Sequence, residues 1–175
     1  MVVVNFSDKE VSYAYEEGKK RHYAKHESFR EKGSVRIKDA KTNYESHSIG
    51  FLGELAWAKF TNQEVDTAIY DVRDSGEDFV GTEVKTITYY GEGEPELKIP
   101  KSEFEKRSSV KNYVLVRANK NNLNAVELLG TISRKDFFDK KSIKQYKKNY
   151  PINYVVPLSL MNLSLIHISE PTRPS

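Results

Sequence analysis

The sequence predicts a mixed α/β domain organised around one β-sheet, with an extra helix at its N-terminus. Two observations carry this. Two long helical stretches open the chain, and from Ala68 onward the texture changes to short β-prone runs separated by turn residues. Further helices fall between those runs, giving the order helix, helix, strands, helix, strands, helix.

The first helix is announced by Ser7-Asp8-Lys9-Glu10, a capping-box pattern with Phe6 and Val11 at staple positions. It is expected to run from Asp8 to Lys32 and to stop at Gly33. The second helix is expected from Ser48 to Thr61. Ile49, Leu52, Ala56 and Phe60 recur at three- and four-residue steps, and Trp57 widens that face. Gly50 and Gly53 weaken a helix by propensity, so they imply close packing against another backbone. Strands are expected at Ala68–Val72, Phe79–Val80, Thr82–Tyr89, Leu97–Ile99, Tyr113–Arg117 and Val126–Ile132, with a last extended piece at Tyr154–Val156. Asp74-Ser75-Gly76, Gly91-Glu92-Gly93 and Asn119-Lys120-Asn121-Asn122 supply turns. Lys101–Ser108 reads as a short helix and Lys135–Tyr146 as a final one.

The 175 residues suit one domain, expected to occupy residues 1–163. Residues 164–175, SLIHISEPTRPS, follow no pattern set by the rest, and Pro171 and Pro174 block regular structure. That string resembles the translation of a cloning or sequencing adapter and is read as a non-native tail. His167 is accordingly not a candidate ligand.

There are no cysteines, so disulfides, zinc-thiolate sites and cysteine nucleophiles are excluded. No apolar run reaches the length of a membrane span and no secretory pattern opens the chain, so the expected location is cytoplasmic, with no membrane partner. Net charge is only +3, but basic residues cluster between Lys19 and Lys41 and again between Arg134 and Lys148. Such clusters engage phosphate backbones; interleaved Glu16, Glu17, Glu27 and Glu31 equally suit a solvated helix face.

The stretch from Gly76 to Thr86 carries the chemistry. In a strand, residues two apart share a face, so Glu83 and Lys85 point together, about 7 Å apart. Asp78 precedes a turn at Gly81 that folds it back toward Glu83. Two carboxylates brought together call for a cation between them, and oxygen ligands select a hard one such as Mg²⁺ or Mn²⁺. The plainer alternative is an exposed strand alternating Glu and Lys as a salt-bridge face. His47, two turns before Glu54, is a phosphate contact or a helix cap; His22 and His26 read as surface residues; Tyr89 and Tyr90 serve base stacking or sheet packing equally well.

Gly53-Glu54 on a helix, then Asp78, then Glu83-Val84-Lys85 resembles the PD-(D/E)XK, or restriction-endonuclease-like, nuclease superfamily, across Ile49 to Phe137. Val126–Phe137 resembles the strand-to-helix segment common there. The chain departs at Glu77, which stands where the nominal motif has proline, and the short Asp78-to-Glu83 spacing demands a tight hairpin. The resemblance implies a core of helix, three-stranded meander, helix and strand. It implies Mg²⁺, with Mn²⁺ as substitute, bound by Asp78, Glu83 and the Val84 carbonyl, with Glu54 nearby and Lys85 beside an attacking water. The expected activity is phosphodiester hydrolysis, in DNA before RNA. The alternative is a nucleic-acid-binding or assembly protein keeping the fold without hydrolysis. A homodimer is left open.

Overall fold

A computed structural model describes residues 1–31, 44–65, 78–88 and 90–164, with the backbone alone over 25–31. The expected strand at Ala68–Val72, the turn at Asp74-Ser75-Gly76, Tyr89, the side chain of His26 and nearly all of the expected tail lie outside the described residues.

The elements in chain order are β1 (Val2–Asn5), α1 (Asp8–Glu31), α2 (Tyr44–Thr61), β2 (Thr82–Ile87), β3 (Glu96–Pro100), α3 (Lys101–Lys106), β4 (Asn112–Asn119), β5 (Asn122–Ser133), α4 (Arg134–Lys140), β6 (Ser142–Lys144) and β7 (Asn153–Pro157), followed by a 3-10 turn at Leu158–Leu160. The capping box forms reciprocally: Glu10 N–H donates to Ser7 Oγ at 3.2 Å and Ser7 N–H to Glu10 Oε1 at 3.0 Å. Phe6 and Val11 both join the core beneath it.

The protein is α/β, with a mixed sheet flanked by helices. Four strands lie in the order β1-β5-β4-β2, antiparallel except for the parallel pair β2/β4. The expectation of one sheet is corrected. β3 pairs with β7, and β7 with β6, in a separate three-stranded antiparallel sheet. Of the expected meander, the described residues contain β2 and β3, which belong to different sheets. The reason is burial on both faces of β4 and β5. Val114, Val116, Val126 and Leu128 pack under α1 and α2. Tyr113, Leu115, Leu129 and Ile132 pack on the other side, with Leu97 and Ile99 of β3 and Tyr154 and Val156 of β7. One sheet cannot cover its own second face, so β3 and β7 form a lid layer.

Two further differences have local causes. The N-terminal strand β1 went unread; its run of β-branched valines pairs with β5 and buries Val4. The helix expected over Lys135–Tyr146 ends at Lys140. Phe137 is its one buried residue, and past Lys140 there is no apolar face to hold a helix. Ser142–Lys144 instead satisfies its backbone against β7. The two helical glycines also part company. A Cβ on Gly53 would collide with Thr86 Oγ1, so α2 packs directly on β2 there, whereas nothing lies within 4 Å of a Cβ on Gly50.

Candidate functional site

Among the described residues, β2 has a strand neighbour, β4, on one side only. Its residues alternate as the period of two requires. Val84 and Thr86 face α2, while Glu83 and Lys85 face the second core beside Tyr113 and Leu115, their register partners on β4. The tight hairpin also forms. Phe79 and Thr82 exchange backbone hydrogen bonds of 3.0 and 2.9 Å, and Gly81 takes φ +70°, a conformation that glycine adopts without the usual Cβ penalty. This turn brings Asp78 back to the side of β2 away from β4, where its Oδ2 accepts the Val84 N–H at 2.6 Å. In an extended strand a residue's N–H and C=O point to the same side. The Val84 carbonyl therefore faces the same side of β2 as Asp78.

Glu83 is almost fully buried, 3% exposed. Lys85 Nζ lies 2.6 Å from its Oε1 and 2.6 Å from Glu103 Oε1 of α3. Arg107 Nη1 bridges the same two oxygens at 3.2 and 2.9 Å. Burial raises the Glu83 pKa to about 7, against the pull of Lys85. The neighbouring Glu103 carboxylate also raises it. For Glu103, burial works upward, but Lys85, Glu83 and Arg107 prevail and hold it below the usual carboxylate range. Desolvation opposes the charge on Lys85, yet the two glutamates raise its pKa above the ordinary lysine value. Beneath this group, burial pushes the Tyr113 phenol up to about 12; its Oη takes a hydrogen bond from Arg134 Nη1 at 3.1 Å.

Glu103 and Arg107 were missed in the sequence. The available signal was their four-residue spacing on a short helix whose apolar residue, Phe104, points inward. Only the parallel crossover from β2 through α3 to β4 sets that helix end against Glu83.

Glu54 sits elsewhere. Gly53 packs on Thr86, so α2 covers the opposite face of β2 from Glu83 and Lys85, and Arg21 Nη1 bridges both Glu54 carboxylate oxygens at 3.1 Å. His22 is buried rather than on the surface: it lies on the α1 face packed against α2, 5.4 Å from the His47 ring. Tyr90 donates to Glu127 Oε2 at 3.1 Å beneath the Arg117 guanidinium.

The donor types on and beside β2 are those that a hard divalent cation takes. Asp78, Glu83 and the Val84 carbonyl offer oxygen alone, and a buried carboxyl with a raised pKa is a group that a bound cation would relieve. Among the described residues, no cluster of three or more carboxylate or imidazole side chains is close enough to hold a metal. No described helix is long and apolar enough to cross a membrane. Comparison of the chain with protein-family models, curated proteins and solved structures finds no match.

Proposed function

We propose that this protein is a divalent-metal-dependent nuclease with a restriction-endonuclease-like core, hydrolysing phosphodiester bonds in DNA. The observation that supports the proposal is that Asp78 meets the Val84 backbone at the edge of β2 away from β4, with the Glu83–Lys85 pair on the adjoining face of the same strand. Asp78, Glu83 and the Val84 carbonyl would hold Mg²⁺, or Mn²⁺ in its place. Bound there, the cation supplies Lewis-acid polarisation of the phosphoryl oxygen and lowers the pKa of water. Glu83 must be deprotonated to serve. Lys85, anchored between two carboxylates, presents a positive charge where negative charge develops on the phosphate. Arg107 keeps Glu103 charged and Lys85 in position. Basic residues around α4 would hold the nucleic-acid backbone.

A second reading has its own observation. Lys85 and Arg107 already neutralise Glu83 and Glu103, and a closed ion cluster also suits a binding protein that does no chemistry. Incubation with plasmid, linear duplex and single-stranded DNA in Mg²⁺, Mn²⁺ or EDTA separates the two. Hydrolysis is expected with metal only. Lys85→Ala should cost at least about a hundredfold in cleavage rate, near 3 kcal/mol of barrier, while leaving most DNA affinity. Binding without cleavage in every metal would leave the second reading.

A further inference from the structure

A groove of about 540 Å³ opens between α3 and α4 beside the candidate site. Phe138 supplies its exposed apolar surface above the buried Phe104 and Val110, and Lys111, Arg134 and Lys135 supply its charge; no acidic residue lines it. Arg134 is fixed in the wall. Its guanidinium lies over the Phe104 ring, 3.7 Å from the centroid, and donates to the carbonyls of Phe104 and Arg107. Lys111 and Lys135 are exposed and pair with no acid among the described residues. Phe138 is 47% exposed although it stacks on Phe104, and the Lys141 ammonium sits over its ring at 3.5 Å.

The groove adjoins the Gly81 turn at the start of β2. Lys111 N–H donates to Gly81 O at 2.8 Å, and the Lys111 methylenes run past the Gly81 turn that returns Asp78 to β2. On the other side, Phe104 follows Glu103 directly in sequence. A strand leaving the site at the Gly81 turn therefore enters a channel with cations on its rim and an apolar floor. A duplex offers that channel phosphates but keeps its bases stacked inside, leaving the apolar floor in contact with water. An unpaired nucleotide satisfies both halves at once, phosphate to the lysines and base to the floor.

We propose that this groove binds a single-stranded segment of nucleic acid, with Lys111 and Lys135 on its phosphates and an unpaired base against the exposed Phe138. The proposal rests on the nuclease reading for its choice of partner, and it makes single strands or unpaired ends the substrate class. The test measures binding of a fluorescent oligothymidylate of about 16 nucleotides by anisotropy in EDTA, against a duplex of equal length. Cleavage of the same strand in Mg²⁺ is followed separately. The intact protein should prefer the single strand by about tenfold or more. Phe138→Ala should weaken single-strand binding at least about fivefold, as loss of one base contact does. Lys111→Gln with Lys135→Gln should lower the salt slope by about 1.4, two single-strand phosphate contacts. Circular dichroism melts check that each variant is folded, and a structural role for the lysines would leave the salt slope unchanged. Equal affinity for duplex, or variants that bind like the parent, overturn the groove even if the protein cleaves DNA. Groove-dependent binding without cleavage in any metal overturns the nuclease reading and leaves the groove standing. No binding to either probe overturns the groove.

Discussion

The raised pKa of Glu83 makes a signed and measurable prediction. Its carboxyl titrates near 7 in the folded protein against 4.5 for the free group, because burial disfavours its charge more than Lys85 restores it. The folded state therefore binds this proton more tightly than the unfolded chain. The associated stability is fully present below about pH 4.5 and is lost as pH rises through about 7. Between about pH 5 and about pH 8 the loss integrates to about 2.5 kcal/mol for one proton moving between these values. The depressed Glu103 acts below this window, since its contribution is lost only as pH falls through its folded value. Glu83→Gln removes the titrating proton while keeping the shape. Urea unfolding of both proteins in EDTA, followed by far-ultraviolet circular dichroism, isolates the effect, because groups that do not touch Glu83 cancel in the difference, and Lys85 and Glu103 titrate mainly outside this window. The Gln variant should gain about 2.5 kcal/mol on the parent from about pH 5 to about pH 8. A difference that stays constant within about 0.5 kcal/mol, or that shrinks as pH rises, would refute the claim that burial dominates at Glu83.

Two other perturbations test neighbouring parts of the molecule. Mg²⁺ or Mn²⁺ should raise the melting temperature, with the gain increasing above about pH 7 as Glu83 loses its proton; Asp78→Asn should abolish it, and an unchanged metal response in that variant would remove Asp78 from the site. Gly53→Ala places a methyl against Thr86 Oγ1 and 3.1 Å from Thr86 Cβ. Overpacking at the upper end of about 1–3 kcal/mol should outweigh the helix-propensity gain of about 1 kcal/mol, a net loss of up to about 2 kcal/mol that lowers the melting temperature by up to about 4–8 °C. Gly50→Ala, which meets nothing, should raise it, and equal shifts at the two glycines would contradict the packing of α2 on β2.

Local features were legible in the sequence because their causes are local. The capping box of α1 is four consecutive residues, and both partners of each hydrogen bond lie inside it. The shared face of Glu83 and Lys85 follows from the strand period alone, and the hairpin that returns Asp78 follows from Gly81 and the short spacing. The major strands were readable from β-branched and aromatic runs. What the chain does with those strands was not readable. Whether β3 extends the sheet of β2 or covers it from a second layer depends on both faces of β4 and β5 being apolar, a balance spread over residues far apart in sequence. The same holds at the site. Glu103 and Arg107 reach Glu83 only through the α3 crossover. Glu54 is directed toward Arg21 rather than Glu83 because Gly53 seats α2 on the opposite face of β2. The pKa of Glu83 is likewise a tertiary property: the type of residue defines a carboxyl, but desolvation by the layers packed around it decides when that carboxyl carries charge.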